Sequence, residues 1–302
     1  MEKGIGILVI LVVIIILIAV VSGQGGIGGS TPLREPSKRS FFDFTPQTRD
    51  ERVSSPSGTD SQTPTPSPEG QEQETSESYE EKLKRSIRLS RGNAKKDKVA
   101  EEYVEISYSG YGFGSEKPNL LFNGWSLENK RGEKFVFGSI AELPYAGRVN
   151  RESAFVVKPG SRIIVTTGVS PIAASFRTNT CTGYFNQFNE FFPMLRQDCP
   201  RPKDEPGKEG LEDLCLDYID QLPRCKIPLT NPPFRIEANC THWITENVGY
   251  AGCVDNHKTD EDFYKNEYRL YLGRPEEIWS NSRDAITLRN AAGTVIQTLE
   301  YK

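Results

Sequence analysis

Six cysteines and two histidines carry most of the chemistry this sequence could perform, and all eight fall between residues 181 and 257. Cys181, Cys199, Cys215, Cys225, Cys240 and Cys253 are even in number, and none forms a C-x-x-C pair. That pattern reads as three disulfides formed in an oxidising compartment, with fifteen pairings open. Zinc is the competing chemistry, because Cys240-Thr-His242 and Cys253-Val-Asp-Asn-His257 offer two thiolates and both imidazoles. Zinc sites favour cysteine pairs two to four residues apart, which are missing here, so disulfides are the expectation and no metal is expected. His257 beside Asp255 and Asp260 could also form an acid/base pair.

The remaining catalytic vocabulary is missing. The sequence has no G-x-S-x-G, no H-E-x-x-H, no phosphate-binding G-x-x-x-x-G-K-[ST] and no G-x-G-x-x-G opening a helix. Asp260-Glu261-Asp262 lacks the glycine and terminal glutamate of a calcium loop and reads as a solvated surface beside Lys258 and Lys265. Asp284 and Asn281 read as turn residues that satisfy backbone groups. The expectation is a non-enzymatic protein without a cofactor; the alternative is an accessory or catalytic module acting on an external nucleic acid, phosphoester or glycan.

The elements that must position these residues occupy only part of the 302-residue chain. Ile5 to Ser22 carries no charge and consists almost wholly of Ile, Val and Leu. As a helix it would extend about 27 Å, enough to cross a bilayer core. Residues 1–23 are therefore expected to be a transmembrane anchor; a cleaved signal peptide ending near Val21-Ser22-Gly23 competes, although its apolar region is normally shorter. Lys3 competes with Arg34, Lys38 and Arg39 as the positive flank, and the cysteines place the C-terminal body outside the cytoplasm. Residues 24–78 are Gly, Ser, Thr, Pro, Glu and Gln with few aliphatics, and are expected to be a disordered stalk spanning about 40 Å. Phe41, Phe42 and Phe44 interrupt it, a short docking motif or a cluster without a partner.

Charge then segregates. Lys82, Lys84, Arg85, Arg88, Arg91, Lys95, Lys96 and Lys98 face only Asp97 between residues 82 and 98, a net charge of +7. Ser78 with Glu81 fits a capping box, and Tyr79, Leu83 and Ile87 recur every fourth residue. A basic juxtadomain helix is expected within residues 79–98, from about Tyr79 to Arg91, ending at Gly92-Asn93. It is either a solvated entrance to the domain or a binder of an anionic surface. The whole chain has a net charge of −4, which excludes a polybasic chromatin-like protein.

Residues 99–302 hold nearly all of the aromatics and change to period-two patterning. Glu102-Tyr103-Val104-Glu105-Ile106 alternates, and Trp125 and Leu127 face Phe135 and Phe137 across the turn Asn129–Gly132. Phe155-Val156-Val157 and Arg162–Thr167 flank Lys158-Pro159-Gly160, and Ala285–Leu288 and Val295–Leu299 flank Asn290–Gly293. Many short strands with polar turns predict a mainly β, antiparallel sandwich.

Several of these residues in succession resemble the lamin tail domain. They are Glu102–Ile106, then Leu120 to Gly124-Trp125-Ser126-Leu127, then Pro159-Gly160 before a strand ending Thr166-Thr167-Gly168, and finally Trp279-Ser280-Asn281-Ser282-Arg283-Asp284 to Leu288 with Gly293 and Tyr301. The resemblance covers residues 100 to 170 and 266 to 302 and implies an immunoglobulin-like β-sandwich with a binding or structural role and no chemistry of its own, of the bacterial, membrane-anchored type. Ser107-Tyr108 leading into Gly110–Gly114, and Gln297 in place of a frequent Asp, depart from the pattern.

Between the two matching stretches lies an insertion, Ser170 to Lys265, that contains every cysteine. Leu211, Leu214, Cys215, Tyr218, Ile219 and Leu222 form one helical face, and Ile236, Cys240, Trp243 and Ile244 another. Two short helices stapled by disulfides can form a small independent lobe. With ten basic and fifteen acidic residues its net charge is −5, which disfavours nucleic acid and favours a neutral or cationic protein or glycan in the envelope or outside. Tyr184, Phe185, Phe188, Phe191 and Phe192 are either contacts for that partner or packing residues.

Overall fold

The computed structural model describes residues 78–230 and 238–302. The expected anchor, nearly the whole stalk, the Phe41–Phe44 cluster and Ile236 lie outside the described residues. Among the described residues no helix is long and apolar enough to cross a membrane.

The body is rich in β-structure, with two main sheets sharing one core. The larger sheet has seven strands in the order β1 (Ile87–Ser90), β2 (Tyr103–Tyr108), β9 (Ser161–Thr166), β11 (Tyr264–Tyr271), β10 (Phe176–Asn179), β6 (Ile140–Ala141) and β7 (Glu152–Ser153). The smaller has four: β13 (Val295–Tyr301), β12 (Asp284–Arg289), β4 (Ser126–Glu128) and β5 (Lys134–Val136). A two-stranded ribbon pairs β3 (Leu120–Leu121) with β8 (Val156–Val157). Alternation sends Val104, Ile106, Ile163, Val165, Tyr268 and Leu270 of the larger sheet into one buried cluster with Leu127, Phe135, Ile286, Leu288 and Ile296 of the smaller. Glu102, fully buried, joins the same region to the turn before β12 by accepting the Ile278 and Trp279 amides at 3.3 and 3.2 Å.

At two of the three expected turns the flanking strands pair with each other. β4 pairs with β5 and β12 with β13, both antiparallel. In the first turn Asn129 Oδ1 accepts the Arg131 and Glu133 amides, and Gly132 adopts φ 81°, a left-handed conformation that an L side chain rarely takes. Asp284 holds its turn as expected, accepting the Ser280, Lys130 and Ala285 amides. Asn281 does not: its amide donates to the Asp97 and Glu277 carboxylates instead. The strands flanking Lys158-Pro159-Gly160 do not pair with each other, since β8 joins β3 while β9 lies between β2 and β11.

The basic segment is not one helix. The capping box forms, with Ser78 Oγ accepting the Glu81 amide and Glu81 Oε2 accepting the Ser78 amide, but helix α1 spans only Tyr79–Ser86. Ser86 then gives its carbonyl to the Ser109 amide at 2.8 Å, outside the helix, and its hydroxyl accepts the Gly112 amide at 2.8 Å. A Cβ at Gly112 would stand 2.2 Å from the Lys82 carbonyl oxygen, so only glycine lets this loop approach the helix. From Ile87 the chain alternates, burying Ile87 and Leu89 and exposing Arg88 as the edge strand β1. The Leu89 amide donates to Gln297 Oε1, tying that edge to β13.

The larger sheet is not wholly antiparallel. β11 runs parallel to β9, with Arg162 opposite Glu267 and Thr166 opposite Tyr271, and β10 runs parallel to β6. The long insertion is therefore the crossover that parallel neighbours require. Its bounds also differ from the sequence reading, because β10 lies inside it as a strand of the larger sheet and Lys265 lies inside β11.

Nor is the lobe independent. Phe176 and Tyr271, on the face of the larger sheet away from the core it shares with the smaller one, pack with Tyr184, Phe185, Phe191, Leu195 and Phe263 of the crossover. Arg269, 1% exposed, projects from β11 and donates to the Pro193 and Met194 carbonyls while paired with Glu267 at 2.6 Å. Helices α2 (Asp213–Gln221) and α3 (Ala238–Asn247) add a smaller cluster of Cys215, Ile219, Cys240, Trp243, Ile244 and Val248, followed by α4 (Tyr250–His257). Leu214, expected on the apolar face of α2, is more than half exposed.

Candidate functional site

All six cysteines are paired: Cys181 with Cys253, Cys199 with Cys225, and Cys215 with Cys240. Cys181–Cys253 closes the longest loop, 72 residues, and joins the strand end after β10 to α4. Cys215–Cys240 staples α2 to α3. Both thiols of the zinc alternative are consumed in these bonds, which leaves His242 and His257 without thiolate partners.

Of the two carboxylates that the sequence sets beside His257, Asp260 is its partner and Asp255 is not. Asp255 pairs with Lys258, while His257 holds Asp260 Oδ2 at 2.7 Å through Nδ1 and Glu205 Oε2 at 3.1 Å through Nε2. Glu205, 2% exposed, also accepts from Asn256 at 2.8 Å, so the cluster pins α4 to the turn after residues 202–204. Burial disfavours the imidazolium, but the Asp260 hydrogen bond and the Glu205 charge outweigh it and raise the His257 pKa. Neighbouring Tyr184 is pushed up to about 12 by burial and then by the Glu205 charge, and stays neutral. With both ring nitrogens held by carboxylates, the arrangement is an ion-paired clamp. Because the folded pKa is raised, the clamp's stabilisation is full below the ordinary histidine value near 6.5 and is lost as pH rises through the folded value. Thermal unfolding between pH 5.5 and 9 should show stability falling across that window, and His257→Gln should remove that component of the fall.

The eight basic residues divide. Lys82, Lys84, Arg85 and Arg88 lie on α1 and β1, where the Arg85 guanidinium sits 5.8 Å over the Tyr111 ring. Arg91 and Lys95 lie over the Tyr301 ring, and Lys95 also donates to the Lys302 carbonyl. Lys96 and Lys98 pair with Glu101 at 4.0 and 3.1 Å. The basic run is thus spread over separate contacts and is not presented as one helical stripe.

Five of the aromatics in the insertion also divide. Phe191 is buried against Phe176, Phe192 is half-buried, and Tyr184, Phe185 and Phe188 line a cleft of about 510 Å³. Phe188 is 61% exposed at its edge. The cleft is completed by Tyr145, Arg148, Ile227, Pro228, Ile244, Thr245, Val248 and the Gly249–Gly252 segment. Tyr250 anchors its floor, 4.3 Å from the Phe185 ring and 5.4 Å edge-on from Tyr145, with its hydroxyl accepting from Asn179 at 3.1 Å. Arg148 lies 5.3 Å over the Tyr145 ring. Such size and lining suit a ligand or a partner's anchor side chain. A more polar cavity of about 350 Å³ beside Arg269 is built from side chains already committed: Arg162 to Glu105 and Glu267, and Arg269 to the lobe carbonyls. Tyr145, Arg148 and Tyr250 escaped the sequence reading, because they reach the cleft from segments about a hundred residues apart. Compared with known proteins, the chain matches no family model and no curated protein sequence.

Proposed function

We propose that this chain is a non-enzymatic, membrane-anchored extracytoplasmic binding or scaffolding protein. In this reading an N-terminal transmembrane helix and a stalk carry an immunoglobulin-like body of the lamin-tail type, and the disulfide-clamped lobe recognises a neutral or cationic protein or glycan. The observation that carries it is the lobe itself: three disulfides and a buried arginine fix an aromatic cleft that opens to solvent. Full pairing of the cysteines supports an oxidising compartment. The rigid mounting lowers the ordering cost of binding. The lobe's net charge of −5 supports a partner that is not a polyanion.

The test is capture of envelope components by the immobilised body, comparing wild type with Phe188→Ala and Thr245→Trp. Both side chains are exposed, so stability should change by no more than about 0.5 kcal/mol. Capture of the principal partner should weaken about tenfold or more, as for an interface anchor. Undiminished capture by both variants would remove the cleft from the proposed function.

A further inference from the structure

The cleft has walls of one kind and a rim of another. Its floor is made of the buried rings of Tyr184, Phe185 and Tyr250, and Ile227, Ile244 and Val248 extend the apolar lining. Arg148 is the only charged side chain among the described residues that line it, and its guanidinium lies 5.3 Å over the Tyr145 ring. A guanidinium set over an aromatic face is oriented as well as charged, and its fork matches a carboxylate. We infer that the cleft takes an apolar monocarboxylate, with its hydrocarbon body on the aromatic floor and its carboxylate on Arg148. The inference goes beyond the proposed function, adding a small apolar acid to the neutral or cationic macromolecular partner, and rests on the cleft being the recognition surface.

Size and charge select this class. A volume of about 510 Å³ lies in the range of small-molecule sites and accommodates one acyl chain or aromatic acid. A small ligand rich in hydroxyls, buried whole in the cleft, would leave those groups unpaired against the apolar floor. The lobe's net charge of −5 repels a polyanion, whereas a single carboxylate meets Arg148 directly.

The test uses isothermal titration of the folded body with dodecanoate, dodecanol and dodecyltrimethylammonium, each below its micelle concentration. Wild type should bind one dodecanoate saturably, about tenfold more tightly than dodecanol, the margin a charge-assisted hydrogen bond gives, and should bind the cation most weakly. Arg148→Glu should abolish the preference for the carboxylate, Arg148→Gln should reduce it, and Thr245→Trp should weaken both dodecanoate and dodecanol by occupying the cleft. Equal affinity for dodecanoate and dodecanol, an unchanged preference in Arg148→Glu, or no saturable dodecanoate binding would overturn the inference. Failure here with cleft-dependent envelope capture intact would discard the ligand class alone; failure of that capture would discard the recognition surface.

Discussion

Replacing residues 170–265 by a short Gly/Ser turn is expected to unfold the two-sheet body, not to leave a folded remainder. β9 and β11 are parallel neighbours, so the end of one lies about 20 Å from the start of the other at about 3.3 Å per residue. A parallel connection needs a dozen residues or more, and a hairpin-sized turn cannot return along the strand. The replacement also removes β10 and the first residues of β11. It strips the cover from the Tyr271 side of the larger sheet. The expected loss is the whole stability of the domain, about 5 to 15 kcal/mol, read as absence of a cooperative thermal transition and of near-ultraviolet circular dichroism. A cooperative, native-like melt of the shortened protein would show that β11 can pair without its crossover.

Arg269→Met is the single substitution expected to cost most. The methionine would fill much of the volume, but the Pro193 and Met194 carbonyls would lose their donor and Glu267 would lose its nearest cation. Breaking a buried pair by removing one partner typically costs about 3 to 5 kcal/mol. Denaturant unfolding should record a loss of that size. Limited proteolysis should cut first near residues 193–196, where the lobe is bolted to the sheet. A change below about 1 kcal/mol, as at an ordinary surface site, would show that the guanidinium does not hold the lobe.

These two outcomes also mark what the sequence made legible. Turns were readable because their chemistry is local: Asn129–Gly132 and Asn290–Gly293 each close a hairpin whose alternating strands are adjacent in the chain. The capping box at Ser78 and Glu81 was readable for the same reason. The end of α1 was not, because Tyr79, Leu83 and Ile87 continue a helical period. The break is imposed by Ser109 and Gly112, more than twenty residues away. Parallel pairing of β9 with β11 has no local signal either, and β10 reads as four residues of mixed polarity, Phe-Arg-Thr-Asn.

The site follows the same division. Pairing of the cysteines was expected, while the choice among fifteen connectivities needed the fold. His257 was legible as a titrating group, but Glu205, its partner on Nε2, lies 52 residues away. The cleft drew only three of its rings from the aromatic cluster visible in the sequence; Tyr250 comes from α4, and Tyr145 and Arg148 from the connection between β6 and β7.

Hydrogen exchange of the body, alone and with the partner captured from envelope fractions, tests the central claim most directly. The account predicts added protection at residues 145–148, 184–189 and 244–252, three of the four segments that meet at the cleft. Protection confined to α1 and β1, or to the outer surface of the smaller sheet, with those three segments unchanged, would contradict it.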